Sequence, residues 1–190
     1  MKNLKTIAIA LLLAFTATKN INAQTKKVDA AASKLTWVGK KVTGQHEGTV
    51  NLKEGSLVFK GKKLVGGNFV VDMKTIAVTD LKAGQGKEKL EGHLNSEDFF
   101  GIEKFQTANL VFKTIADKGN NVYAVTADLT IKGKTNAVTF NVAVNGNKAT
   151  TNFKVDRTKY DIKYGSGSFF DNLGDKAISD DFELAIELAF

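Results

Sequence analysis

The sequence predicts an all-β fold: an extended eight-stranded antiparallel barrel with a short helix segment near one end. Three observations carry this. From Leu35 onward most of the chain alternates apolar and polar residues, the pattern of strands buried on one face. Compact turn clusters separate those runs, the strongest being Asn145-Gly146-Asn147, where both residue types tolerate positive φ. One stretch, residues 91–100, abandons the alternation; it is dense in hydrogen-bonding groups and ends in Phe99 and Phe100. About eight strands with one apolar face each favour closure, because a closed barrel leaves no free edge to aggregate. Eight strands also give an interior just wide enough for a small or chain-like ligand.

Taken in order, residues 1–23 read as a secretory signal peptide. Lys2 and Lys5 form a basic start, residues 6–17 carry no charge, and Ala23 is a small residue suited to cleavage before Gln24. The apolar run is too short to span a bilayer as a helix. An exported, periplasmic or secreted protein is expected. The sequence has no cysteine, which excludes a Cys-linked lipid anchor, thiol catalysis and Cys-ligated metal. Residues 24–190 suit one domain, able to bury roughly 70% of its unfolded surface without help from disulfides.

Leu35, Trp37 and Gly39 alternate with Thr36 and Val38 in a first strand. Gly44 and Gly48 mark a turn into a second, which runs through Thr49 and Val50 to Leu57 and Phe59. The tip Lys60-Gly61-Lys62-Lys63 reverses the chain. A third run puts Phe69, Val71 and Met73 on one face and Asn68, Val70 and Asp72 on the other, then continues through Ile76 and Val78. Ala83-Gly84-Gln85-Gly86 is a flexible approach to segment 91–100. There Ser96, followed by Glu97 and Asp98, reads as a helix N-cap. At least one of the phenyl rings of Phe99 and Phe100 is expected in the barrel mouth; a loop whose Phe pair only plugs the core reads equally well.

Residues 107–156 form a four-strand meander. Its apolar faces are Ala108, Leu110 and Phe112; Tyr123, Val125, Ala127, Leu129 and Ile131; Val138, Phe140, Val142 and Val144; and Phe153 and Val155. Residues 160–173 are a long Gly- and aromatic-rich loop. Residues 180–190 alternate strictly, with Phe182, Leu184, Ile186, Leu188 and Phe190 on one face and Asp181, Glu183 and Glu187 on the other.

Alternation does not say which way the apolar faces point. A small outer-membrane barrel, apolar face to lipid, is the rival, and the terminal Phe190 suits it. One Trp and three Tyr are too few for two aromatic girdles, and the polar faces lack the mixed Arg and acid set of a narrow pore. Facing inward, Trp37, Phe69, Val71, Phe112, Leu129, Phe140, Phe153, Phe182 and Ile186 line either a packed core or a ligand tunnel. His93 is a structural histidine or a contact to a ligand headgroup. Arg157, the one arginine, either pairs with a phosphate or carbonyl headgroup or caps loops through Asp156, Asp161 or Asp98. His46, in a Gly-flanked turn, reads as structural.

Two distant histidines without a carboxylate cluster make a poor metal site. Ser166 lacks the Gly-x-Ser-x-Gly elbow and Gly84-Gln85-Gly86 lacks a βαβ context, so no catalytic residue, metal or cofactor is expected. The formal net charge is +7, and Lys2, Lys5 and Lys19 of the leader contribute to it. The other lysines are scattered or sit at turn tips, where they serve solubility. The residual charge allows a weak, transient attraction to an anionic membrane surface. No basic stripe interleaved with aromatics points to nucleic acid. A homodimer is compatible with this composition.

The chain resembles the YceI-like family, exported lipocalin-like proteins associated with polyisoprenoid binding. The likeness rests on Leu35-Thr36-Trp37, Gly92-His93-Leu94-Asn95-Ser96-Glu97-Asp98-Phe99-Phe100, Asp128-Leu129-Thr130-Ile131-Lys132-Gly133-Lys134-Thr135, Asp156-Arg157-Thr158-Lys159-Tyr160-Asp161 and Ile178-Ser179-Asp180-Asp181, in that order. The resemblance implies a lipocalin-like extended barrel with a helix near its end. It further implies a long isoprenoid, quinone or similar amphiphilic chain in an apolar tunnel. No reaction comes with it, so a carrier or sequestering protein is expected and not an enzyme; a ligand-free structural or stress-related barrel is the alternative. The family often has Pro where Glu97 and Gln106 stand, and His where Lys132 stands, so a histidine role at that hairpin does not carry over. Each buried methylene is worth about 0.8 kcal/mol, so one five-carbon isoprene unit offers roughly 3–4 kcal/mol before ordering costs. A few units bind tightly with no sharp polar motif.

Overall fold

The structure, a computed structural model, describes residues 22–190. The expected leader, apart from its last two residues, lies outside the described residues. Among the described residues nine strands form one antiparallel sheet: β1 (Ala23–Lys27), β2 (Asp29–Lys41), β3 (Gly44–Lys60), β4 (Lys63–Val78), β5 (Thr107–Asp117), β6 (Val122–Ile131), β7 (Lys134–Asn145), β8 (Lys148–Asp156) and β9 (Ile178–Ala189). They are ordered β1-β3-β2-β9-β8-β7-β6-β5-β4, and β4 pairs back onto β3. Strands β2 to β9 are therefore eight staves closed into a barrel.

β1 is an extension of the first stave. Ala23 to Lys27 pair with Lys60 to Ser56 at the far end of β3, while β2 pairs with residues 44–50 at its near end. A bulge separates the two. The Asp29 carboxylate accepts from the backbone N–H groups of Ala31 and Ala32. The Ser33 hydroxyl donates to the Asp29 carbonyl and accepts from the N–H of Ala189. The first strand thus starts well before Leu35, a correction to the sequence reading. Alternation is hidden there because Asp29 and Ser33 use their side chains to bend the backbone.

The apolar faces point inward. β6 buries Tyr123, Val125, Ala127, Leu129 and Ile131 and leaves every second residue half-exposed. The outer faces carry charge, with cross-stave ion pairs Lys40–Glu183 at 2.8 Å, Lys113–Asp128 at 3.3 Å and Lys154–Glu183 at 3.6 Å. A lipid-facing band would hold these charges in hydrocarbon, so the outer-membrane rival is set aside. One seam is incomplete. β7 and β8 pair only through Ala143, Val144 and Asn145 against Thr150, Ala149 and Lys148, next to the Asn145-Gly146-Asn147 tip. Beyond these the staves part, and the rings of Phe140 and Phe153 stack at 4.4 Å.

The two ends of the barrel differ. At one end Phe59 and Phe190 stack at 5.5 Å, with the Lys26 amine 5.4 and 5.0 Å from the two ring centres. At the other lies the helix α1 (Lys87–Asn95). The Glu91 carboxylate accepts from the N–H of Val78, tying α1 to the end of β4. Leu90, His93 and Leu94, three and four residues apart, share the face turned to the interior.

Ser96 ends this helix and does not start one, a second correction. Its N–H and its hydroxyl both donate to the His93 carbonyl, at 3.1 and 2.8 Å, satisfying an acceptor that the last helical turn leaves open. The acid of the first turn is Glu88, whose carboxylate accepts from Gly84 N–H at 3.1 Å. Residues 97–100 are turns pinned by Phe99 N–H and Gly101 N–H donating to the Ser96 carbonyl. Those turns aim Phe99 and Phe100 into the barrel.

Candidate ligand cavity at the barrel mouth

Below α1 the barrel is hollow. A cavity of about 210 Å³ is walled by Leu35 and Trp37 of β2, Val50 of β3, Val71, Met73 and Ile76 of β4, and Ala108 and Leu110 of β5. Leu129 and Ile131 of β6, Phe153 of β8, and Phe182, Leu184 and Ile186 of β9 complete the wall. Leu90, His93, Leu94, Phe99 and Phe100 form its lid, and Lys40, Lys41, His46, Arg157, Ser179 and Asp181 its polar rim. Nearly all of the surface inside is carbon.

Trp37 is set by the strand opposite. Its ring lies over Gly48, with which it pairs across β2 and β3, and its indole N–H donates to the Thr49 carbonyl at 3.3 Å. A Cβ on Gly48 would overlap both that ring and the Ala77 carbonyl, so glycine is required by close approach.

Of the residues singled out from sequence, Trp37, Val71, His93, Phe99, Phe100, Leu129, Phe153, Arg157, Phe182 and Ile186 face this cavity. Phe69, Phe112 and Phe140 do not. They lie deeper, around a second void of about 40 Å³, with Phe69–Phe112 and Phe112–Phe140 centroid distances of 5.5 and 6.0 Å. The sequence places all of these on inward faces but gives no depth along the barrel. Depth comes from strand register, set by bulges in β2, β3 and β5.

His93 packs by edges, 5.3 Å from the Phe99 ring and 4.4 Å from that of Tyr164. His46, expected as a turn histidine, reaches the rim. A signal was available: it lies two residues before Gly48 and four before Val50, on the same strand face. Its Nδ1 is 2.8 Å from the Asp80 carboxylate. Burial raises the Asp80 pKa, but the His46 hydrogen bond and the Glu47 N–H outweigh it and hold the carboxyl below its usual range.

Arg157 is 2% exposed. Its Nε donates to the Ser179 carbonyl at 2.9 Å, Nη1 to Ile162 at 2.8 Å and Nη2 to Ile178 at 3.0 Å. Asp180 is 3.6 Å from Nη2. The guanidinium therefore holds loop 160–178 to β9 through backbone carbonyls, with Asp180 as its close carboxylate in place of the expected Asp156, Asp161 or Asp98. The guanidinium carbon lies 5.7 Å from the centre of the Phe99 ring. Burial raises the Asp180 pKa, but Ser166, Ser168 and Arg157 together hold it below the usual range.

Outside the mouth an open groove of about 370 Å³ shares Lys40, Lys41, Ile178 and Ser179 with the cavity rim. Val42 at the β2–β3 tip is 67% exposed, and Phe169 and Phe170 in the facing loop are 50% and 51% exposed. The Val42 N–H donates to the Ala177 carbonyl at 3.3 Å, which brings tip and loop together.

Residues 27–190 match the model of the YceI-like domain. The chain belongs to the YceI-like family. It is 35% identical over 92 residues to a UPF0312 protein of Shewanella denitrificans, covering 48% of this chain and 46% of that one. A UPF0312 protein of Staphylococcus aureus strain USA300 is 42% identical over 59 residues, covering 31% and 32%. The matches span about half or less of these curated relatives' length.

Among solved structures, Burkholderia cenocepacia BcnA superposes with a TM-score of 0.68 at 25% identity, covering 86% of this chain and 99% of that one. A polyisoprenoid-binding domain from Saccharophagus degradans gives 0.56 at 15% identity, covering 85% and 95%, and supports the fold. In this YceI-like protein Lys132 acts as a staple at the mouth. Its amine donates to the Glu97 carbonyl at 2.6 Å and lies 3.5 Å from the Asp161 carbonyl, linking the β6–β7 tip to the loops on either side.

Proposed function

We propose that this YceI-like protein is an exported carrier or sequestering protein that holds the apolar tail of an isoprenoid or similar amphiphile in the mouth cavity. The observation that carries this reading is the cavity itself: about 210 Å³ walled by carbon, beneath a lid of Leu90, Leu94, Phe99 and Phe100. A chain there gains burial from all sides, and polar groups are needed only at the rim. The mouth offers them in His93 of the lid and Ser179 and Lys41 of the rim, which suits a small polar headgroup such as a quinone ring or an alcohol. The Saccharophagus degradans relative in fold is a polyisoprenoid-binding domain, in agreement with this ligand class.

Binding without catalysis is the reading the groups favour. His46 is engaged by Asp80, and Ser166 is fully buried, its hydroxyl accepting from Ser168 N–H. The exposed Val42, Phe169 and Phe170 beside the mouth suit transient contact with a membrane, from which a greasy chain enters without crossing water. Export rests on the leader, whose expected last residue, Ala23, is the first residue of β1. A ligand-free structural barrel is the second reading, favoured by the packed half around Phe69, Phe112 and Phe140.

Native mass spectrometry of protein purified from its own cell envelope, followed by solvent extraction, tests the proposal. A bound amphiphile with a polyisoprenoid tail is the expected result. Protein that emerges at its bare mass and takes up no added isoprenoid favours the structural barrel.

A further inference from the structure

We infer that the barrel limits how much of its ligand it encloses: the tail reaches a neck formed by Leu35, Leu110 and Ile186, and about one to two isoprene units fit above it. This inference rests on the isoprenoid-binding reading above. These three side chains line both the mouth cavity and the deeper void. Leu35 and Ile186 pair across adjacent staves β2 and β9, and Leu110 comes from β5 on the opposite wall. Below the neck the rings of Phe69, Phe112 and Phe140 pack around a void of only about 40 Å³.

The sizes set the limit. A dry apolar cavity of about 150 Å³ takes one benzene, roughly 25 Å³ per carbon, so the mouth cavity takes about eight carbons and the lower void about one or two. The mouth cavity then takes about one to two five-carbon units, and the lower void less than one. A longer chain leaves its remainder outside the rim, beside Val42, Phe169 and Phe170.

Trp37, the single tryptophan, lines the cavity and reports occupancy by its own fluorescence. Titration with prenyl alcohols of five, ten, fifteen and twenty carbons gives the test. Affinity is expected to rise at least tenfold from five to ten carbons and then to stay flat. Leu110→Ala, which opens the neck, is expected to move the plateau by about one unit. An affinity that keeps rising by the same factor to twenty carbons in the unaltered protein overturns the limit while leaving the binding reading intact. Failure of every alcohol to bind removes that reading, and the limit with it.

Discussion

Single residues show where the fold is tight and where it carries an open cost. Gly48 is fixed by the Trp37 ring and the Ala77 carbonyl. Gly48→Ala is expected to lower stability by about 1–3 kcal/mol through overpacking and to shift Trp37 emission, both read in one urea titration. Tyr160 is buried, its hydroxyl has no hydrogen-bond partner among the described residues, and burial, with Asp156 nearby, pushes its pKa up to about 12. Tyr160→Phe should therefore gain about 1 kcal/mol, because it removes a polar group that is desolvated without compensation. A loss of stability in the same titration contradicts that account. Trp37 was legible as an interior residue from its alternation, and at least one ring of Phe99 and Phe100 from the break in that alternation. The hydrogen-bonding sense of Ser96 was not, because serine serves a helix end as readily by donating as by accepting.

At the scale of elements, alternation marked β4 to β9 but left the direction of their apolar faces open, and the break at residues 91–100 marked the lid. The bulges were illegible, since they depend on side chains such as Asp29 turning back onto their own backbone. Depth along the barrel was lost with them, which is why Phe69, Phe112 and Phe140 were grouped with the cavity wall. Phe140 bridges the parted β7–β8 seam by stacking on Phe153. Phe140→Ala should cost about 3–5 kcal/mol as a packed core ring, with little change in ligand affinity. A small stability loss with strongly altered affinity would put Phe140 in the ligand site.

The loop clamp predicts an acid dependence. The Asp180 pKa is depressed in the folded state, so its stabilisation is present above the unfolded carboxyl value of about 3.9 and lost as pH falls through the lower folded value. Asp180→Asn should flatten part of the loss of Tm below about pH 4 while leaving its pH dependence between about 5 and 7 unchanged. An unaltered acid slope contradicts the clamp.

The whole molecule is asymmetric: one end is sealed by Phe59 and Phe190, and the other is open under α1 with a polar rim and exposed Val42, Phe169 and Phe170 beside it. That polarity gives the proposed traffic a direction. Phe169→Ser with Phe170→Ser should slow transfer of a fluorescent isoprenoid from vesicles by tenfold or more, while binding of the same probe delivered in solution stays unchanged. Equal slowing of both would make the two rings part of the ligand site. The closed barrel was readable from about eight alternating runs, but this asymmetry was not, because it arises from which tips meet across the barrel ends.

The central claim is that an apolar tail lies inside the mouth half of the barrel, and a crystal structure with geraniol bound measures it most directly. The account predicts the chain between Trp37, Val71, Leu129 and Leu184, its hydroxyl at the rim near His93 and its far end against Leu110 and Ile186. Geraniol found only on the outer surface, with the interior closed by its own side chains, would contradict it.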